Sequence, residues 1–265
     1  MEIIQMHHKT SNLSWKNFKK ATLQSMMPKL AFRFYLMQPQ VVLLEWDSEP
    51  SEALLCLLIA FKKEILLHSE DVIQITQGYC SLMVFYKNKI NSPSKFKEIL
   101  QSLYENIPPF EIQKGKLWKI PVYYGKEFGI DLEVSAQKLQ MSVKELVKTH
   151  HSVCYLVYFI GFLPGFLYLD GLPKILNIPR KSKPSPKVSP GSIGIGGQQT
   201  GIYPQESPGG WHIIGRTPYP LFQPSKKSPC FAQAGDQIEF YPITKSEYKS
   251  IEKGIASKTY KIKSV

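Results

Sequence analysis

Residues 161–217, GFLPGFLYLDGLPKILNIPRKSKPSPKVSPGSIGIGGQQTGIYPQESPGGWHIIGRT, hold 11 of the chain's 17 glycines and 8 of its 20 prolines. Such a density excludes long helices here. It demands a backbone of tight, specified turns joining short strands. The arm IPRKSKPSPKVSP cannot be a central strand, because each proline removes a ladder donor. SIGIGG, WHIIGR and DQIEFYPI alternate or run apolar as short strands, and Gly/Pro turns between many short strands predict a closed or nearly closed β-barrel. The charge pattern is also uneven. Between Asp170 and Asp236 the one acid is Glu206, against eight lysines and arginines. A glycine-rich surface with free N–H groups and little negative charge suits a carboxylate or phosphate.

The rest of the 265 residues allows a second domain. Residues 1–29 are polar and basic without a period and are expected to be a flexible extension. Residues 30–112 read as an α+β domain. AFRFYLM (31–37), VVLLEW (41–46), VIQIT (72–76) and LMVFY (82–86) are strand-like, with Gly78 in a turn. A helix from about Ser51 to His68 presents Leu54, Leu55, Leu58, Ile59 and Leu66 inward, and another starts near Pro93. Two strand pairs each followed by a helix predict a ferredoxin-like split sandwich. Residues 113–152 connect the domains through the strand KIPVYYG (119–125) and two short helices. Ser142 and Glu145 fit a capping box at the start of the second. Residues 153–243 form the barrel domain, opening on a buried strand VCYLVYFIGF, and 244–265 a charged tail with one short helix.

Composition narrows the function. The net charge is +12, but the cations are spread along the chain without an arginine-rich block, which argues against nucleic acid. Cys56, Cys80, Cys154 and Cys230 show no C-x-x-C. Cys56 and Cys154 lie in apolar runs and read as core, a pattern fitting a reducing cytosol. No apolar run reaches the ~18 residues of a membrane span, and the N-terminus lacks a signal core, so the expected location is cytoplasmic. No metal site is expected, since neither His7/His8 nor His150/His151 has i, i+4 spacing.

The chemistry-bearing residues converge on the glycine-rich stretch. Arg180 and Arg216 are the only arginines after Arg33, and an arginine fork binds carboxylate bidentately where lysine cannot. Gln199 and Thr200 offer hydrogen-bonding side chains on a glycine-rich turn. SPGGW (207–211) reads as a sharp turn needing positive φ, in which the N–H groups of Gly209 and Gly210 form an anion nest; Trp211 is expected in the core. Glu206 is a candidate base, and equally a partner for Arg216 or a lysine. His150 is a candidate site residue or a cation at a helix C-terminus. GIGGQQTG matches neither phosphate-loop pattern, and no nucleophile motif occurs.

The runs GFLPGFLYLDGLP, IPR and GSIGIGGQQTGIYPQESPGGWHIIGRTPYPLF resemble the signature of the bacterial KipI/PxpB family, also called allophanate hydrolase subunit 1-like, or the B subunit of 5-oxoprolinase. The resemblance is strongest over about 118–243 and collinear from about Ala31. It implies a cyclophilin-like barrel and one component of an ATP-dependent enzyme that opens 5-oxo-L-proline to L-glutamate, in a site shared with a C subunit and completed by an A subunit. ATP is thus implied without a motif for it. Phe162, Pro164, Phe166 and Tyr203, inside the matching motifs, join the substrate-binding set. The same resemblance fits a KipI-like inhibitor of a sensor histidine kinase, and more distantly half of a urea-carboxylase-like carboxyltransferase. The chain departs from the family at Ser185, where a second arginine is usual, and at Gln223, where aspartate is typical.

Overall fold

The computed structural model describes residues 31–108 and 115–264. The first unit starts with the strands β1 (Phe32–Gln38) and β2 (Val41–Trp46), followed by helix α1 (Glu52–His68). Strands β3 (Val72–Gln77) and β4 (Ser81–Tyr86) and helix α2 (Pro93–Glu105) complete it. The sheet is antiparallel in the order β1-β2-β4-β3. β4 therefore lies between β2 and β3, the two strands that α1 connects, which is a split β-α-β arrangement. Alternation drives it. Val42, Leu44 and Trp46 of β2 and Leu82, Val84 and Tyr86 of β4 point to one face and are buried.

That face is covered by α1, which Ser51 caps by accepting a hydrogen bond from the Leu54 N–H (3.2 Å). The buried stripe of α1 is Leu54, Leu58, Phe61 and Ile65, flanked by Leu55 and Leu57. Sequence reasoning placed Ile59 and Leu66 inside. Ile59 is half-buried and Leu66 is 50% exposed. One residue turns a helix by about 100°, so choosing Leu66 over Ile65 moves the contact off the core face.

The second unit contains β5 (Leu117–Val122), α3 (Leu132–Lys138), α4 (Val143–His151), β6 (Cys154–Ile160) and β7 (Leu167–Asp170). It continues with β8 (Ser185–Val188), β9 (Ser192–Gly196), β10 (Gln199–Ile202), β11 (Ser207–Gly209), β12 (His212–Arg216) and β13 (Gln237–Pro242). It ends with α5 (Lys245–Ala256) and β14 (Lys263–Ser264). Eight strands form one sheet in the order β12-β9-β10-β7-β6-β13-β5-β14. The sheet is open, but a single bridge between Tyr123 and Arg216 joins the far end of β5 to β12. The proline-rich arm adds no strand to this sheet and meets it through a single bridge from Ile178 to Gly197, just after β9. Its β8 pairs with β11 in a separate two-stranded ribbon. Both capping boxes form, Ser142/Glu145 on α4 and Thr244/Glu247 on α5.

Three sequence expectations need correction. The strand expected at 119–125 is Leu117–Val122. Cys154 is exposed, because it is the first residue of β6, where the sheet meets solvent; Cys56 is half-buried, and burial pushes its thiol up to about 12. Gly209 and Gly210 lack positive φ; the left-handed glycines are Gly165, Gly171, Gly191, Gly197 and Gly235. Gly209 is instead required by crowding, since a Cβ there would strike the Tyr203 side chain.

The two units are stitched together at β6. The Tyr158 hydroxyl donates to the Ser51 carbonyl (2.8 Å) and accepts from the Ser51 N–H (2.9 Å). The Gln77 amide donates to the Tyr158 carbonyl (3.1 Å). Tyr79, in the β3–β4 turn, packs on Tyr158, Phe159 and Tyr168. The expected boundary at 112/113 falls among residues outside those described, as do the expectations for 1–29.

Candidate functional site

The centre of the glycine-rich stretch is a flat floor. Gly194 and Gly196 of β9 and Gly201 of β10 lie under the indole of Trp211. A Cβ at Gly194 would sit 3.1 Å from Trp211 Cβ, and one at Gly201 2.9 Å from Trp211 Cζ3. At Gly196 it would come within 2.4 Å of Trp211 Cδ1 and 2.8 Å of Cγ, a clash with the indole ring. Glycine is needed because an aromatic plane lies flat against the strands, not because the turns demand it. Phe166, Tyr168 and Tyr203 surround the indole in edge-to-face contacts at 5.5, 6.2 and 6.4 Å. Trp211 is 4% exposed, as expected of a core residue. The pinned ring has no room to yield, so Gly196→Ala is expected to lower stability by about 2 kcal/mol. The check is the denaturant midpoint. Gly197→Ala, whose Cβ would meet nothing within 4 Å, should cost only its left-handed φ.

Arg180 lies over this indole, its guanidinium 5.7 Å from the ring centroid. Its Nη2 donates to the Gln199 side-chain oxygen at 3.2 Å. The segment carrying it is anchored on both sides. The Ile178 carbonyl accepts from the Gly197 N–H (2.6 Å), and the Pro179 carbonyl accepts from His212 Nε2 (3.1 Å). The Lys181 N–H donates to the Gly210 carbonyl (2.7 Å), and Lys181 Nζ pairs with Asp131 at 2.6 Å, where both side chains are mostly buried. The backbone at 178–181 is fixed while the Arg180 side chain remains exposed.

Tyr79 reaches the same place from the first unit. Its hydroxyl is buried with no hydrogen-bond partner. Burial raises its pKa first, with the charge of Asp170 adding; Gln199 and Arg180 oppose this and are outweighed. The Gln199 NH2 and the unused guanidinium N–H groups of Arg180 are donors, and the Tyr79 hydroxyl can both donate and accept. Donors from Arg180 and Gln199 beside an aromatic wall match an acceptor such as a carboxylate. The lip of the wall is Phe162. It stands 63% exposed at φ +68°, a conformation rare for a residue with a side chain, with its ring edge-on to Phe166 at 5.6 Å. The exposed Pro164 follows it.

The other expected residues lie elsewhere. Arg216 is at the opposite end of β12 from Trp211, about 15 Å away by strand rise. It covers the Phe128 ring at 4.4 Å, with its Nε buried and unpaired. Glu206 pairs with Lys187 at 2.9 Å on the surface, both side chains being more than half exposed. Tyr203 is 2% exposed within the floor, and its hydroxyl is pushed up to about 12 by burial. Gly209 belongs to the β8–β11 ribbon.

His150 and Thr200 are brought together, but inside the core, where both are fully buried. Thr200 donates its hydroxyl hydrogen to the Gly194 carbonyl (3.0 Å), so it accepts from His150 Nε2–H (3.0 Å). His150 Nδ1 then accepts from the Tyr124 hydroxyl (2.9 Å). The chain of bonds is complete and fixes a neutral imidazole, stacked on Phe240 at 5.0 Å. Burial, with His151 adding, lowers its pKa from 6.5 to about 3. A cationic His150 complementing the helix dipole is therefore ruled out at neutral pH, and so is a base in contact with solvent. The unfolded chain takes up a proton near pH 6.5 that the folded chain refuses until about pH 3. Stability is thus whole above about pH 6.5 and falls as pH drops toward the folded value, by about 2 kcal/mol at about pH 5. His212, also lowered by burial, adds in the same direction. His150→Gln should flatten the fall in Tm between about pH 7.5 and about pH 5, read by calorimetry.

Sequence reasoning missed Tyr79, Lys181 and Asp131. Lys181 had a signal, being next to Arg180. Tyr79 had none, because it arrives from the other unit.

Residues 32–232 match the model of the carboxyltransferase domain, subdomain C and D. The crystal structure of K. lactis urea amidolyase shares the fold at 19% identity and a TM-score of 0.75, over 88% of this chain and 16% of that one. TTHA0988 matches at 28% identity and TM-score 0.67, over 77% of this chain; the chain spans only 40% of that protein. The chain is 40% identical over 187 residues to the 5-oxoprolinase B subunit of Bacillus subtilis strain 168, covering 66% of this chain and 78% of that one. It is 39% identical over 177 residues to the protein of the same name from Escherichia coli O157:H7, covering 67% and 81%. The chain belongs to the carboxyltransferase-domain C and D family, and within it to the KipI/PxpB family.

Proposed function

We propose that this chain is the B subunit of a prokaryotic 5-oxoprolinase, which opens 5-oxo-L-proline to L-glutamate at the expense of ATP. The observation that supports it most is the identity of about 40% to proteins of that name over most of both chains. The site is consistent with this substrate. The substrate's carboxylate and lactam carbonyl are acceptors, and the Arg180 guanidinium and the Gln199 NH2 are donors that can meet them. In this reading Arg180 takes the carboxylate and the Gln199 NH2 the lactam oxygen, with the ring against the Phe162–Phe166 wall. Glu206 and His150 are not assigned a catalytic role, being respectively held on the surface by Lys187 and sealed in the core.

The lactam is unreactive because amide resonance quenches its carbonyl. ATP supplies the activation, by phosphorylating that oxygen, and a C subunit shares the site while an A subunit completes hydrolysis. The chain is inactive alone in this reading and works in the cytoplasm. The domain division follows: a ferredoxin-like unit to about residue 112, supported by the split β-α-β, then a cyclophilin-like barrel, supported by the Tyr123–Arg216 bridge. The test is 5-oxoproline-dependent ATP hydrolysis by the chain with candidate A and C partners. Activity that requires all three chains is expected. Well-folded, associated partners with no turnover would reject the reading in favour of a KipI-like kinase inhibitor.

A further inference from the structure

A second recess lies away from Arg180, on the outer face of α4. It encloses about 420 Å³ and is lined by Tyr123, Tyr124, Val147, Pro242 and Ile243, with Lys144, Lys148 and His151 along one wall. Those three residues repeat at i, i+4 and i+7, so they share one helix face and span about 10 Å. Neither lysine is in an ion pair among the described residues. The neighbouring carboxylate of Glu145 is already committed to the Ser142 N–H (2.8 Å) and hydroxyl (2.7 Å).

The charges are not explained by the helix. Lys148 complements the dipole at its C-terminal end, but Lys144 is in the first turn, where a cation is unfavourable. Two lysines one turn apart also repel each other. An anion bound along the wall removes both penalties. Two lysines one turn apart, with the His151 imidazole one turn further on as a hydrogen-bonding group, extend over about 10 Å, more than a single carboxylate needs, and match an extended polyphosphate, with lysine acting as a point-charge phosphate binder. The opposite wall of tyrosine, proline and aliphatic side chains suits a planar ring.

We infer that this recess binds a nucleoside triphosphate, its phosphates along Lys144, Lys148 and His151 and its ring against Tyr123 and Ile243. The inference deepens the proposed function and rests on it in one respect: the reaction consumes a nucleotide for which the sequence shows no motif. Tyr124 is common to the recess and to the buried Tyr124–His150–Thr200 chain, which ends beside Gln199. Hydrogen-bonded side chains thus link the recess to β10, the strand that carries Gln199.

The full-length chain is titrated calorimetrically with Mg-ATP, with inorganic triphosphate and with 5-oxoproline. The variants are Lys144→Gln/Lys148→Gln and Arg180→Gln; the lysines are exposed, and unchanged melting verifies folding. The expected result is ATP binding that weakens by about tenfold or more in the double lysine variant and is unchanged in Arg180→Gln. Inorganic triphosphate should bind more weakly than ATP. No ATP binding to the wild type, equal binding to the lysine variant, or triphosphate binding as tightly as ATP each overturns the inference. Because the titration uses this chain alone, it can fail while the three-chain assembly turns over, and it can succeed while that assembly is inactive.

Discussion

Arg180→Ala is expected to lower kcat/KM for 5-oxoproline-dependent ATP hydrolysis by the assembled enzyme by about a hundredfold or more, with little change in melting temperature. Three features support the size of this effect. The guanidinium is held at the site by the indole of Trp211 and the oxygen of Gln199, so it is oriented before substrate arrives. Its backbone is anchored independently by His212, Gly210 and Gly197, so truncating the side chain leaves the loop in place. No other arginine is near: Arg216 is at the far end of β12. Arg180→Lys should recover only a small part of the activity, because an ammonium keeps the charge but loses the fork and the stacking on Trp211. Full activity in Arg180→Ala would move the substrate away from the glycine floor altogether.

The largest effect on folding is expected at Asp236. Its side chain is 2% exposed and accepts from the Lys116 N–H (2.9 Å), Trp118 Nε1 (2.9 Å) and the Gln233 N–H (3.0 Å). Its own carbonyl accepts from the Val157 N–H (2.8 Å). One residue therefore ties the start of β5, the start of β13 and β6. Asp236→Ala removes the acceptor for three part-buried donors and is expected to cost about 2–4 kcal/mol. Asp236→Asn keeps one acceptor oxygen and should cost roughly half as much. Chemical denaturation of the two variants measures this; equal, small losses would show that water replaces the carboxylate.

Much of the fold was legible because it rests on local pattern. Alternation in VVLLEW and LMVFY gave β2 and β4, and the Ser51 cap and the turn at Gly78 lie where residue type predicts them. The capping box at Ser142 needed only four residues to be read. The errors came where local pattern is degenerate. A leucine-rich helix does not say which leucine faces in, hence Leu66, and a cysteine in an apolar run does not say that the run begins at a sheet end, hence Cys154.

The site divides along the same line. The sequence alone determined that Arg180 is an unusual cation in an acid-poor, glycine-rich stretch, and that Trp211 is a core residue. It also determined the family, through motifs that survive as contiguous strings. Only the tertiary structure decided that the glycines form a floor for an indole and that Arg216 and Glu206 are elsewhere. It also decided that His150 is a neutral core residue and that Tyr79 enters from the other unit. The physical reason is that distance in space, burial and proton affinity depend on which strands pair. Pairing is set by side chains far apart in the chain, such as Asp236 with Trp118 or Ser51 with Tyr158, whose partners no local window contains.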